Sequence, residues 1–192
     1  MVLLIQQLLI GFGLGFAITL IFSVIQFSGS VISLQMGLGF SSFFDPTTGV
    51  QVPTLSNFLN LLVLLLFMGM NGQLLVLATL MRSFTLLPVS ASLSLNPSTW
   101  HLLVSEGAVI FSLGLAISTP VLGTLILVNI ALGILGKLAP QLNIFVIGFP
   151  LLLGLGLLAI YIFMPAMQML VEHLLSMSMS FAGKTMLTAA QP

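Results

Sequence analysis

The chain has 192 residues, of which 59% are hydrophobic and only 3% are charged, and its formal net charge is zero. An ordinary soluble domain carries roughly 25% charged residues, so this composition, with a mean hydropathy of +1.30, excludes a soluble domain. The chain has no basic cluster that would indicate binding to nucleic acid, and with no cysteine it has no disulfide framework. The composition therefore predicts an integral membrane protein.

The long uncharged runs predict helices rather than strands. Six charged residues interrupt the chain, and the five uncharged runs before Glu172 are each longer than the roughly 20 residues needed to cross a bilayer as a helix. The strands of a membrane barrel would instead alternate polar and apolar side chains. The predicted fold is therefore all-α, a single membrane domain over residues 1–192 in which broken and kinked helices form hairpins and carry a loop rich in glycine and phenylalanine.

The first apolar region, residues 1–36, contains closely spaced glycines. In a helix, Gly11 and Gly15 lie on one face, and small residues four apart let two backbones approach closely in lipid. The alternative is that glycine is simply common in membrane helices. Similar glycines recur later in the chain, at Gly133, Gly136, Gly154 and Gly156. Because a chain this small cannot pack all of these surfaces against itself, we expect it to be unstable alone and to be stabilised by partner subunits.

Residues 37–57 are predicted to form a loop and a connection. Gly37 and Gly39 supply backbone freedom, and Pro46 removes a hydrogen-bond donor and disfavours helix at the residue before it. The loop carries three phenylalanines within five residues, where an exposed turn would carry polar side chains. Irregular backbone at membrane depth persists only when it is buried in protein or lines a cavity, so the phenyl rings are predicted to point into one or the other.

Two of these rings, Phe40 and Phe43, have two possible roles. In a pore, apolar side chains close the passage by dewetting and cost little to displace when a polypeptide passes. In a helix bundle, both rings would be ordinary packing between helices. The residues alone leave both roles open.

The second apolar region, residues 58–87, is interrupted by Asn71-Gly72-Gln73. This interruption divides the region into two pieces, each about half as long as a membrane span. Three structures are compatible with the pattern, namely a helical hairpin, a re-entrant turn and a kinked span.

The third and fourth apolar regions, residues 102–136 and 142–175, are each longer than one span requires. The short polar segment that starts at Lys137 joins them, which predicts an antiparallel pair. Prolines lie inside both regions, at Pro120, Pro150 and Pro165. Because proline removes a helical hydrogen bond, the sequence predicts kinks or breaks there. Residues 176–192 show little periodicity and are predicted to be a frayed tail.

The sequence lacks the combinations of side chains that an enzyme active site needs. The only histidines, His101 and His173, have no second histidine or carboxylate at helical metal-ligand spacing. No serine has the Gly-x-Ser-x-Gly pattern of a nucleophile. The six charged residues fall mostly at the edges of apolar segments, which favours interfacial anchors over a proton or ion relay. The sequence therefore predicts neither an enzyme nor a bound metal or cofactor.

Several runs of residues in the same order resemble the FliR family of flagellar biosynthetic proteins, the export-gate subunits shared with virulence type III secretion systems. The runs are 35–40, 44–46, 49–53, 58–62, 71–72 and 138–150. Within them, the residues that match the family motif are Gln35, Met36, Asp45, Pro46, Pro140, Gln141, Gly148 and Pro150, and Lys137 matches a basic residue that usually precedes the Ala-Pro-Gln motif. The match covers about residues 7–165, and its last run favours the flagellar branch.

The resemblance implies a gate subunit present in a single copy. It implies that the subunit joins several copies each of FliP and FliQ in a helical pore that passes unfolded flagellar proteins, in the bacterial inner membrane at the flagellar basal body, with FlhA and FlhB homologues as further partners. It also implies that the loop with Gly37, Gly39, Phe40 and Phe43 is similar to the plug that closes the family's pore.

The chain departs from the family pattern in two ways. Family members begin with further hydrophobic segments upstream, so we expect this chain to be a shortened or truncated member. Gln7 stands where members often carry glutamate, and the role of that carboxylate does not transfer to it. Two other hypotheses remain, a small autonomous transporter or channel built from the same broken helices and a non-functional fragment.

Overall fold

The computed structural model describes residues 2–40, 54–86, 97–139, 141 and 143–189. They form five helices, which are α1 (Val2–Gln35), α2 (Thr54–Gly69), α3 (Gly72–Leu86), α4 (Pro97–Leu138) and α5 (Ile144–Ala189), and a short 3-10 turn, Leu38–Phe40. These described residues contain no strand, and the predicted all-α membrane fold is confirmed. Helices α2 and α4 begin a few residues earlier than predicted, and Pro97 occupies a first helical position, where its fixed φ is favourable.

Three of the helices are long and apolar enough to cross a membrane. The spans are Gln7–Gln35 in α1, Val104–Leu138 in α4 and Val146–Thr185 in α5. Helices α2 and α3 qualify only as a pair, with a bend of 69° between them. Counting that pair as one span gives four candidate spans in the part of the chain that the structure describes.

Helix α1 is the centre of the bundle and contacts α2, α4 and α5. It is antiparallel to α2, because Phe22 packs edge-to-face on Phe67 with ring centroids 5.9 Å apart, while Gly29, further along α1, meets Ser56 near the start of α2. Helix α5 is also antiparallel to α1, because its Phe181 meets Phe16 while its Gly156 meets Met36. Helix α4 runs parallel to α1, because Ile110 packs on the cluster with Ala17 and Leu20 and Gly114 meets Phe27. The main buried cluster accordingly joins residues of α1, α2, α4 and α5.

Close approach between helices is made possible by glycine. A Cβ atom on Gly29 would lie 2.8 Å from Cα of Ser56, so α1 and α2 touch backbone to backbone there. The hydroxyls of Ser30 and Ser56 form a hydrogen bond of 3.0 Å at the same crossing. A Cβ atom on Gly114 of α4 would lie 2.6 Å from Cδ1 of Phe27. In lipid, such packing and interhelical hydrogen bonds replace the hydrophobic driving force between helices.

The bend between α2 and α3 lies at the interruption that the sequence identifies. Asn71 has a φ of 58°, in the left-handed region that asparagine tolerates better than most residues. A Cβ atom on Gly72 would lie 2.5 Å from the ring of Phe67, so the ring covers the bare backbone of the bend. The angle of 69° excludes an antiparallel hairpin for this pair and is that of a broken span or a re-entrant turn.

We expect Asn71→Ala to lower the free energy of unfolding by about 1 kcal/mol, because a left-handed residue with a Cβ is strained by about that amount and alanine lacks the local hydrogen bonding of asparagine. Asn71→Gly should be neutral or stabilising, since glycine adopts this conformation freely. Denaturant titration of both variants in detergent micelles measures the difference. Equal stability of the two variants would contradict the strained bend.

Neither α4 nor α5 ends at an internal proline. The hydroxyls of Ser118 and Thr119 donate to the carbonyl of Leu115, at 3.0 Å and 2.7 Å, next to Pro120. The carbonyl that loses its helical donor to Pro120 is that of Ala116, four residues earlier. Both helices nevertheless continue through Pro120, Pro150 and Pro165, so the breaks that the sequence allows at these positions do not occur in the described helices.

The frayed tail that the sequence predicts from residue 176 is wrong for residues 176–189, because α5 continues to Ala189. Phe181 and Ala182 are each 1% exposed and pack against Ala17 and Leu20 of α1. The rings of Phe16 and Phe181 also meet edge-to-face, with centroids 6.3 Å apart. Burial against α1 therefore orders the end of α5.

Candidate functional site

Residues 37–40 begin where α1 ends, and we call them the plug turn after the role that the resemblance implies. The backbone N–H of Met36 donates to the carbonyl of Ile32 at 2.9 Å, and that of Gly37 donates to Leu34 at 3.1 Å. Gly37 has a φ of 79°, a left-handed conformation that glycine adopts at little cost. The helix thus stops at the first of the two glycines that the sequence singles out, and the chain turns into the 3-10 turn Leu38–Phe40.

The plug turn is packed on its inner side. Leu38 lies against the main hydrophobic core. A Cβ atom on Gly39 would lie 3.3 Å from Cδ2 of Leu34, so little space is left beside this glycine. The backbone of Phe40 completes the turn, but its side chain lies outside the described residues, as do Phe43, Asp45 and Pro46.

Met36 joins the plug turn to α5. Its side chain is fully buried. A Cβ atom on Gly156 would lie 2.7 Å from both Cε and Cγ of Met36 and 2.8 Å from Sδ, so the Met36 side chain lies on the bare backbone of α5. Gln35, the residue before it, is the last residue of α1 and is half-buried. The sequence identifies Gly156 only as one of several packing glycines, and nothing in its spacing indicates that Met36 is its partner.

The other residues of the family motif lie at the connection between α4 and α5. Lys137 is exposed in the last turn of α4, and Gln141 is exposed in the connection. Gly148 is buried and Pro150 is exposed in the first two turns of α5, whereas Pro140 lies outside the described residues. At a rise of 1.5 Å per residue, Gly148 and Pro150 lie about 12 Å and about 9 Å along α5 from Gly156, the residue that Met36 contacts.

Two apolar spaces lie within the bundle. A cavity of about 20 Å³ between α1, α2, α4 and α5 is lined by Ser28 and apolar side chains. A groove of about 210 Å³ lies between α1, α3 and α5, where Gly11 and Gly15 face Thr79 and Met179. The hydroxyl of Thr79 donates to Sδ of Met179 at 3.2 Å. Neither lining offers the convergent polar groups that hold a cofactor or run an acid–base reaction.

The charged groups are spread along the helices. On α5, the amide of Gln168 donates to Oε1 of Glu172 at 3.3 Å on the exposed surface. Arg82, Lys137 and Glu172 are all exposed. Within the described residues, no group of three His, Cys, Asp or Glu side chains could hold a metal ion. The geometry is that of a packing site.

The chain matches a family of known proteins over nearly its whole length. The sequence profile described as "Bacterial export proteins, family 1" matches residues 1–178. The flagellar biosynthetic protein FliR of Pectobacterium carotovorum subsp. carotovorum is 43% identical over 177 residues, which cover 91% of this chain and 66% of that protein. FliR of Escherichia coli (strain K12) is 40% identical over 174 residues, with the same two coverages of 91% and 66%. FliR of Bacillus subtilis (strain 168) is 28% identical over 180 residues, which cover 93% of this chain and 70% of that protein.

The chain spans about two thirds of the length of these relatives. The matched region includes α1, the plug turn, the bend at Asn71, α4, and α5 as far as residue 178. The chain therefore belongs to family 1 of the bacterial export proteins, the FliR family.

Proposed function

We propose that this chain carries the pore plug of a flagellar protein export gate, which it forms with FliP and FliQ homologues and through which unfolded flagellar proteins pass. As a membrane-spanning member of the FliR family, it is a component of the flagellar export apparatus in the bacterial inner membrane at the basal body. The family is not enzymatic. The plug, the gate partners and the exported proteins are the parts that we propose.

The observation that carries the proposal is the position of the plug turn along the bundle. Gly156, on which Met36 lies, is about 18 Å from the start of α5 and about 24 Å before Glu172, the first charged residue of that helix. The helical hydrogen bonding of α1 thus ends next to a point about halfway along the apolar part of α5. Irregular backbone at such a depth requires protein or a cavity around it, which supports a role in a pore.

The outer surfaces of the long helices support partner subunits. A Cβ atom on Gly13 of α1 or Gly133 of α4 would meet nothing within 4 Å. A large apolar side chain is exposed beside each of them, Phe12 at 69% and Ile134 at 54%. Surfaces that combine small and large apolar residues favour close helix packing in a membrane. FliP and FliQ homologues are the partners proposed for these surfaces, with FlhA and FlhB homologues as further neighbours.

The plug is tested by the double substitution Phe40→Ala with Phe43→Ala in cells that hold the complete export gate. We expect the gate to assemble normally and the membrane to leak ions, because the apolar constriction that excludes water is removed. If the rings were ordinary packing instead, each substitution would lower the stability by roughly 3–5 kcal/mol and the gate would assemble poorly. Gate yield and ion leakage are measured in the same cells.

The control for this experiment is Phe84→Ala. This ring is largely exposed, at 56%, and lies on α3 away from the plug turn. The control should change neither gate yield nor leakage. Intact assembly without added leakage in the Phe40 and Phe43 variant would contradict the plug.

The partners are tested by purification in a mild detergent. We expect the chain to give a much higher yield when it is produced together with FliP and FliQ homologues, and to co-purify with them, because its small-residue surfaces are then covered. A monodisperse monomer with the same yield in their absence would contradict the gate and favour an autonomous transporter or channel.

A further inference from the structure

We infer that Met36 is a positioning residue for the plug turn and that it acts by lying on the bare backbone of Gly156. This inference rests on the proposed function, because it explains what holds the plug in place. It assigns one role to two residues that lie far apart in the chain: Met36 follows α1 directly, and Gly156 lies within α5.

The geometry at Gly156 leaves no room for a side chain. Three atoms of Met36, namely Cγ, Sδ and Cε, lie within 2.7–2.8 Å of the place where a Cβ atom on Gly156 would be. Real Cβ atoms do not make contacts this short, so the Met36 side chain occupies the space that every other residue at position 156 would need. Methionine suits this place because its unbranched, flexible chain can follow a bare helix backbone.

The contact fixes the plug turn because Met36 is the last residue before the chain is free to turn. Its N–H still bonds to Ile32, in helical register with α1. Gly37, the next residue, has the left-handed conformation that starts the plug turn. If Met36 moved along α5, Gly37 and the residues after it would therefore move with it. A movement of the plug turn alone would leave Met36 in place.

The contact can be disturbed without moving the backbone of α5. The atoms nearest to a Cβ on Gly156 belong to a flexible side chain, so Gly156→Ala should displace Met36 and leave the α5 backbone where it is. Gly154 lies two residues earlier on the same helix and meets nothing within 4 Å. Gly154→Ala is therefore a matched control that makes the same chemical change on the same helix without touching Met36.

The test measures gate yield and ion leakage for Gly156→Ala, Gly154→Ala and Met36→Ala in cells that hold the complete export gate. We expect Gly156→Ala to raise leakage several-fold with gate yield close to that of the unchanged protein. Met36→Ala should raise the leakage per assembled gate to a similar extent, and its gate yield should also fall because a fully buried side chain is lost. Gly154→Ala should change neither quantity. Met36→Leu, which keeps most of the side-chain volume, should leak less than Met36→Ala.

The double variant Met36→Ala with Gly156→Ala identifies the contact itself. Alanine at position 36 removes the atoms that a Cβ at position 156 would strike, so the double variant should leak less than the product of the two single effects. Residues in contact show such non-additivity, and independent sites do not. Independent effects of the two substitutions would overturn the inference.

Two further outcomes separate this inference from the plug itself. Leakage in the Phe40 and Phe43 variant without leakage in Met36→Ala would overturn the role of Met36 and leave the plug intact. No leakage in the Phe40 and Phe43 variant would overturn the plug. If Gly156→Ala assembles poorly, Met36→Ala decides the question, because it introduces no clash and should leak in an assembled gate.

Discussion

Replacing Gly29 with alanine is expected to lower the free energy of unfolding by roughly 1–3 kcal/mol, the usual effect of overpacking a tightly packed contact. The new Cβ would lie 2.8 Å from Cα of Ser56, 3.1 Å from its Oγ and 3.2 Å from Cδ1 of Leu59. The nearest of these atoms is backbone and cannot rotate away. Helices α1 and α2 must therefore separate, which also stretches the 3.0 Å hydrogen bond between Ser30 and Ser56.

Replacing Gly13 with alanine is expected to leave the free energy of unfolding unchanged or to raise it. A Cβ on Gly13 would meet nothing within 4 Å, and it lies in the same helix. Alanine is a better helix former than glycine by up to about 1 kcal/mol, so Gly13→Ala should be neutral or stabilising. Unfolding of both variants by titration with a denaturing detergent, followed by circular dichroism, measures the two changes. Equal shifts for Gly29→Ala and Gly13→Ala would show that α1 and α2 do not touch at Gly29.

Phe181→Ala is expected to destabilise the protein by about 3–5 kcal/mol, the range for removing a buried phenylalanine. The side chain is 1% exposed and its ring packs edge-to-face on that of Phe16. Its loss leaves a cavity between α1 and the end of α5. The control is Phe12→Ala, which removes a ring that is 69% exposed on α1.

The readout for Phe181→Ala is protection of the last turns of α5 from amide hydrogen exchange, together with overall stability. Protection in residues 176–185 should fall more than elsewhere in α5, because these residues are held by the contact with α1. Phe12→Ala should leave this protection unchanged. A neutral effect of Phe181→Ala would mean that the end of α5 is frayed, as its sequence pattern suggests.

The sequence locates the interruptions of the helices well, because glycine and proline act locally. The end of α1 before Gly37 and the bend at Asn71 both lie where the residues predict them. The bend angle is not predictable in the same way, since it depends on Phe67, which packs both on Gly72 and on Phe22 of α1. Contacts between distant segments leave no signature in either segment alone.

The same limit applies to the glycines and to the tail. Gly11 and Gly15 have the spacing of a packing face, yet a Cβ atom on either would meet nothing within 4 Å in this chain. Gly29 and Gly114, which have no glycine four residues away, are the ones that approach the backbone of another helix, at Cα of Ser56 and the carbonyl of Val24. The serine and methionine run after residue 175 resembles a tail because its order comes from α1, near the other end of the chain. Of the predicted plug residues, only Gly37, Gly39 and the backbone of Phe40 are described.

The pairing of α1 with the end of α5 has a consequence for synthesis in the cell. Phe16 and Phe181 are among the first and last residues of the described chain, so at 5–20 residues per second the ribosome makes them on the order of ten seconds apart. Throughout that interval the first half of α1 lacks the neighbour that later covers it. High contact order of this kind slows folding and prolongs exposure of apolar surface. Helix α1 therefore stays in the insertion machinery, or in contact with another protein, until α5 has been translated.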